Sequence, residues 1–192
     1  MKGFIMTTAK WADVPTTAKE FLTNNWLKCY KTRETSHMPE YGSEHAACFD
    51  LKVSIQDGDT IVYWGPRNKQ SSRRVKSHTI GIPLYAGERM LVPTGIIFDL
   101  NVQQSLRIHP RSGMVLKKGI TIANCEGVVD ADYVQETFVM LSNISDLTFD
   151  VVDGMRVAQA EIVMNYPVQF EVVTDIPLTK TDRDGGFGST GT

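Results

Sequence analysis

Between Phe49 and Ile55 apolar and polar residues alternate without a break, with Phe49, Leu51, Val53 and Ile55 set against Asp50, Lys52 and Ser54. A period of two sends successive side chains to opposite faces, so this segment is expected to be a strand with one face on a core. Further β-rich runs follow at 61–64, 80–84, 95–100, 137–141, 147–151, 156–163 and 169–173. Asp57-Gly58, Ala86-Gly87, Thr94-Gly95 and Asp153-Gly154 stand between runs as turn signals. Many short strands at this spacing build a sandwich or barrel, and the expected class is all-β, jelly-roll-like. No internal repeat is visible.

A chain of 192 residues suits one well-buried domain and is short for two. One helix is expected near the start, where Thr17 and Glu20 have capping-box spacing and Ala18, Phe21 and Leu22 share a face. The expected organisation is an N-terminal extension over 1–26, a β domain over 27–176 and a flexible glycine-rich arm over 177–192. The formal net charge of −2 gives no overall pull toward nucleic acid or an acidic membrane surface. No apolar run approaches 18 residues, so no membrane span is expected. Residues 1–10 make a poor signal peptide. Cys29, Cys48 and Cys125 lack the spacing of a zinc site or disulfide frame, which points to reduced thiols in a cytoplasmic protein.

Two segments stand outside the strand pattern. The stretch 65–78 holds Arg67, Lys69, Arg73, Arg74 and Lys76 with no acid. It reads either as a solvated basic loop or as a docking surface for a protein partner. The arm carries Gly185, Gly186, Gly188 and Gly191, yet also Arg183 and Phe187. A glycine-rich run followed by Ser189 and Thr190 offers amides and hydroxyls to phosphate oxygens, but no Lys-Ser/Thr pair marks a P-loop. A plain flexible tail fits the same composition.

Three other groups can carry chemistry. In Pro110-Arg111-Ser112-Gly113, Ser112 can open a short helix that Gly119 ends. Free amides beside a hydroxyl and a guanidinium make an anion site; an ordinary capped helix has the same signature. Asn124 to Glu136 reads as a β-hairpin with an acidic tip, Asp130-Ala131-Asp132, followed by Tyr133. A carboxylate at that tip can act as general base on a water or hold magnesium through its water shell. Asp50, on the polar side of its strand, is a further carboxylate candidate, and by itself reads as a charge facing solvent.

The order of these pieces is what makes them specific. Ala47-Cys48-Phe49-Asp50-Leu51, Pro110 to Gly113, Asn124 to Glu136, Gly154 to Gln159 and Arg183 to Gly191 closely resemble, in sequence, the five motifs of the trimeric dUTPase family. Cys48 stands where glycine is usual, Val134-Gln135 replaces Arg-Gly or Gln-Gly, and Met155 takes a place often held by aspartate. The span from Asp50 to Arg111 is long for the family, with 65–78 as an apparent insertion of the kind some phage members use on partner proteins.

The resemblance implies a homotrimeric enzyme, in the host cytoplasm if phage-encoded, that cuts dUTP to dUMP and diphosphate with Mg2+. Such an activity keeps uracil out of DNA and supplies dUMP. By the same resemblance, Asp130 activates the attacking water and Tyr133 packs under the deoxyribose. Asn124 bonds the uracil edge, with backbone groups of its hairpin at Gly127 and Val129. Arg111, Ser112, Gly113, Arg156 and Gln159 hold the phosphates, while Asp50 and Asp130 support the metal through water. Phe187 covers the base, and Arg183, Gly188, Ser189 and Thr190 close on the γ-phosphate. Two alternatives remain: a dCTP deaminase, whose catalytic glutamate would fall on Met140, and a regulatory protein acting through 65–78.

Overall fold

A computed structural model describes residues 26–178. In chain order the first strands are β1 (Lys28–Lys31), β2 (Glu40–Tyr41), β3 (Phe49–Lys52), β4 (Thr60–Trp64) and β5 (Gln70–Arg74). Next come β6 (Ile82–Leu84), β7 (Arg89–Pro93), β8 (Ile96–Asp99) and β9 (Gln104–His109), then helix α1 (Ser112–Lys118). The rest are β10 (Ile120–Ile122), β11 (Gly127–Val129), β12 (Phe138–Asn143), β13 (Phe149–Val151) and β14 (Arg156–Met164). The expected N-terminal helix and the arm with its Arg183, Phe187, Gly188, Ser189 and Thr190 lie outside the described residues.

Two antiparallel five-stranded sheets, β10-β12-β7-β4-β5 and β11-β9-β14-β3-β2, share one buried cluster. The pairs β1-β8 and β6-β13 complete the jelly-roll-like sandwich. Complementary sizes fill its centre: Ala160 lies opposite Phe49 and Ala158 opposite Leu51, all four buried. Phe98, Leu106, Leu141 and Leu84 are almost wholly inaccessible, each worth roughly 1.5–3 kcal/mol relative to exposure. Strand β3 stops sooner than its alternation suggests. Val53 N–H donates to the Met155 carbonyl at 2.9 Å and Ser54 N–H to that of Pro93 at 2.9 Å. Pro93 belongs to the other sheet, so 53–55 is a corner between sheets and not a ladder.

Three other sequence expectations need correction. First, 65–78 is not a free loop over 70–74: β5 pairs with β4, Thr60 to Arg74 through Trp64 to Gln70. Arg73 anchors this hairpin, donating to both carboxylate oxygens of Glu88 at 2.5 and 2.6 Å and to the Pro83 carbonyl at 2.9 Å. Its guanidinium lies over the rings of Tyr63 and Tyr85, 3.7 and 4.5 Å from their centroids. The Glu88 hydrogen bonds push the Arg73 pKa further above its ordinary value. The acid that pairs with Arg73 lies beyond the segment, while Arg67, Lys69, Arg74 and Lys76 are solvated as expected. Second, Asn124 to Glu136 is not a laddered hairpin. Gly127, Val128 and Val129 pair with β9, whereas β12 pairs with β7 and β10 in the other sheet. The chain between them crosses from one sheet to the other. Third, 169–173 forms no strand and is exposed.

Helix α1 forms where expected. Arg111 is its N-cap in extended conformation, and Gly119 ends it at φ 64°, the left-handed region that glycine enters freely. Gly119 also packs so closely on Ser145 that a Cβ would stand 2.7 Å from the serine Cβ. Lys117 and Lys118 in the last turn complement the helix dipole, and buried Met114 fixes the helix to the core.

Candidate functional site

The beginning of α1 opens onto a cavity of about 320 Å³ lined by Arg111, Ser112, Gly113, Arg156, Gln159 and Asp50. The first amides of any helix lack intrahelical acceptors, so those of Ser112 and Gly113 are free to meet an anion. Nothing lies within 4 Å of where a Cβ on Gly113 would project, so glycine leaves the backbone open to approach. Gln159 sits across from both Asp50 and His109 in the sheet, and its Nε2 donates to the Pro110 carbonyl at 3.1 Å. That bond ties the start of the Arg-Ser-Gly segment to β14.

Asp50 is buried, not turned to solvent. Its Oδ1 lies 2.9 Å from Arg111 Nε and its Oδ2 3.1 Å from Arg156 Nη1. Arg111 Nη1 in turn donates to the Arg156 carbonyl at 3.0 Å. Two guanidinium groups against one carboxylate leave a surplus positive charge on the cavity, suited to a polyanion. Cys48 also lines this cavity; burial pushes its thiol pKa up, and the charge of Glu161 adds to the effect.

A second cavity of about 290 Å³ opens where β11 and β12 part into their separate sheets. Leu91, Ile108, Phe138 and Met140 give it apolar walls, and Asn124, Asp130 and Tyr133 line it with polar groups. Gly127 lets β11 lie close on β9, since a Cβ there would stand 3.0 Å from Ile108 Cβ. Cys125, with φ 60°, turns the chain between Asn124 and β11. Val129 completes the wall beside Asp130, which is exposed at the mouth.

The expected site residues within 26–178 therefore fall into two groups. Asp50, Arg111, Ser112, Gly113, Arg156 and Gln159 gather in one cavity, and Asn124, Gly127, Val129, Asp130 and Tyr133 in the other. The two share no lining residue. Sequence reasoning missed the apolar walls Leu91, Ile108 and Phe138, because nothing in a strand marks which core residue borders an opening. It also missed Ser43 and Gly42 beside the arginines, which only the pairing of β2 with β3 brings there. No cluster of three or more metal-ligating side chains occurs among the described residues.

The fold and its two separate cavities, one with surplus positive charge at a helix start and one apolar-walled with an exposed carboxylate, suit a β sandwich that handles nucleotides. The chain belongs to the dUTPase family, whose model matches residues 77–191. It is 36% identical over 154 residues to the deoxyuridine 5'-triphosphate nucleotidohydrolase of Rhizobium rhizogenes, covering 80% of this chain and 85% of that one. It is 38% identical over 156 residues to the enzyme of that name from Rickettsia prowazekii, covering 81% and 88%. Among solved structures, the dUTPase of Streptococcus mutans aligns with a TM-score of 0.56 at 25% identity, over 75% of this chain and 98% of that one. The fold also matches the dUTPase of Staphylococcus bacteriophage 80alpha with dUPNHPP, at a TM-score of 0.66 and 17% identity, over 88% and 100%.

Proposed function

We propose that this protein hydrolyses dUTP to dUMP and diphosphate. The observation that carries the reading is the division of labour between the cavities: one has two arginines and open helix amides for phosphates, the other apolar walls for a base and sugar. Asn124 bonds the uracil edge with the backbone around Gly127 and Val129, and Tyr133 lies under the deoxyribose. Asp130 takes the proton of a water whose oxygen bonds the α-phosphorus, while the α–β bridging bond breaks and diphosphate leaves. Arg111, Arg156, Ser112, Gly113 and Gln159 hold the phosphates in line for that attack. Arg183, Phe187, Gly188, Ser189 and Thr190 close over the substrate and exclude water. Met140 in the slot wall has no proton to exchange, which speaks against deamination.

Mg2+ fits this donor set as a cation carried by the triphosphate. Asp50 Oδ2 accepts from Arg156 and Oδ1 is ion-paired with Arg111, yet both oxygens keep lone pairs for metal-bound water, and Asp130 is exposed. When bound, the ion supplies neutralisation of the phosphate charge. One triphosphate must engage both cavities, and they share no residue within a protomer. A closed homotrimer solves this by joining the arginine cavity of one subunit to the slot of the next, with the arm of the third above.

The test is to incubate the protein with magnesium and each dNTP, and UTP, and to identify the products. Diphosphate with dUMP, from dUTP alone, is the expected result; ammonia with dUTP from dCTP would replace this reading by a deaminase. Asp130→Asn should lower turnover at least about a hundredfold while substrate still binds.

A further inference from the structure

Between β11 and β12 the chain runs from Asp130 to Thr137 without a ladder bond, yet it carries the two residues on which the proposed chemistry depends. Something must fix it. At its near end Tyr133 N–H donates to the Asp130 carbonyl at 3.1 Å, so base and sugar platform move as one turn. The Tyr133 hydroxyl then donates to the Glu136 carbonyl at 3.0 Å. Glu136 is itself tied down by its side chain: Oε1 accepts from Gly95 N–H at 2.7 Å.

The anchor at Gly95 cannot shift easily. Its φ of 71° requires glycine, and a Cβ would overlap the hydroxyls of Ser36 and Ser54. Its carbonyl accepts from Thr32 N–H at 2.8 Å. Beside it, Thr94 Oγ1 donates to the Thr137 carbonyl at 2.6 Å, and Thr137 N–H to the Ile96 carbonyl at 2.8 Å. The seam thus joins the crossing segment to the turn between β7 and β8. Val134 and Gln135, between tyrosine and glutamate, are exposed.

We propose that Glu136 is a positioning residue for the reaction and a determinant of sugar selectivity: its carboxylate pins the 130–136 turn to Gly95, and thereby sets where Asp130 and Tyr133 stand over the slot. This rests on the dUTP reading for its catalytic half, but the pinning itself does not. A hydrogen-bond acceptor is what the position needs, since Gly95 N–H is the donor. Glutamine keeps an acceptor at Oε1; alanine removes it.

The experiment compares Glu136→Ala and Glu136→Gln with the parent protein. Glu136→Ala is expected to lower kcat on the order of ten- to a hundredfold, the scale of a misplacement near 1 Å, and to narrow the preference for dUTP over UTP about tenfold. Glu136→Gln should restore both. Hydrogen–deuterium exchange over 127–138 gives a readout that needs no activity: protection at Tyr133 should fall in the alanine variant and return with glutamine. A preference and exchange pattern unchanged in Glu136→Ala overturns the proposal, even if the melting temperature drops. So does a glutamine variant as impaired as alanine. A parent protein that leaves dUTP intact defeats the functional reading instead, and the exchange data still decide the pin.

Discussion

Asp50 joins Arg111 to Arg156: each of its carboxylate oxygens faces one guanidinium, at 2.9 and 3.1 Å. The two cations would otherwise repel across the cavity that is to receive the phosphates. Asp50→Asn keeps the shape and removes the charge, so the arginines should part. The expected outcome is a Kd for a non-hydrolysable dUTP analogue about tenfold weaker, a loss of about 1.4 kcal/mol. Calorimetric titration measures it. Unchanged affinity would mean that the arginines do not depend on this carboxylate.

A site completed by neighbours can be rebuilt from damaged parts. Asp130→Asn chains and chains lacking 183–192 should each be nearly inactive alone. Refolded together in equal amounts, roughly three-quarters of closed trimers contain both kinds, and each of these has one site with an intact Asp130 and an intact arm. Activity should recover to about a quarter of the parent value. Mixtures as inactive as either component would exclude a site that draws these parts from different chains.

Arg73 should matter to stability and not to turnover. Its side chain is mostly buried against Glu88, Tyr63 and Tyr85, and it lines neither of the two cavities proposed for substrate. Arg73→Ala leaves the buried Glu88 carboxylate with no cation and only the Tyr85 N–H, a loss of about 3–5 kcal/mol for a buried pair. At about 2–4 °C per kcal/mol for a chain of this size, thermal unfolding should begin on the order of 10 °C lower. Arg73→Lys rescues poorly, because an ammonium cannot pair bidentately and stack at once. kcat at a temperature where the variant is folded should match the parent.

Cys125 should react with iodoacetamide before Cys29 and Cys48 do. Thiolate is the nucleophile, and burial holds the pKa values of Cys29 and Cys48 above the ordinary thiol value, so both stay protonated at neutral pH. Exposed Cys125 is expected to alkylate first. Cys48 should follow only as pH rises past the usual thiol range, and a bound dUTP analogue should protect it, since it lines the cavity proposed for the phosphates. Mass spectrometry of the peptides reads both effects.

How much of this was legible in the sequence depends on whether the deciding partner is local. β4 and β14 fall within a residue of the runs expected at 61–64 and 156–163, because β-branched and aromatic residues favour a pleated, half-buried surface by themselves. The helix at Ser112 was legible from Gly119, whose left-handed conformation is a local requirement. β5 was not, because Gln70-Ser71-Ser72-Arg73-Arg74 has no apolar face and is held by Glu88. Nor was the burial of Asp50, for one of its arginines lies 106 residues away. The acidic tip at Asp130 was readable as chemistry but misread as a hairpin. Strand-like residues on both sides say nothing about which sheet each joins.

β5 is the last strand of its sheet, and among the described residues no other strand pairs with its outer side. Such a margin is a template onto which any extended polypeptide can zip, the usual beginning of fibrils and inclusion bodies. Here the exposed margin presents serine hydroxyls and the Arg74 guanidinium, with Lys69 and Lys76 at either end. A second chain arriving in the same register brings the same cations to the same place. Two copies colliding at this border, in a crowded cell or a concentrated preparation, repel each other before backbone pairing can begin.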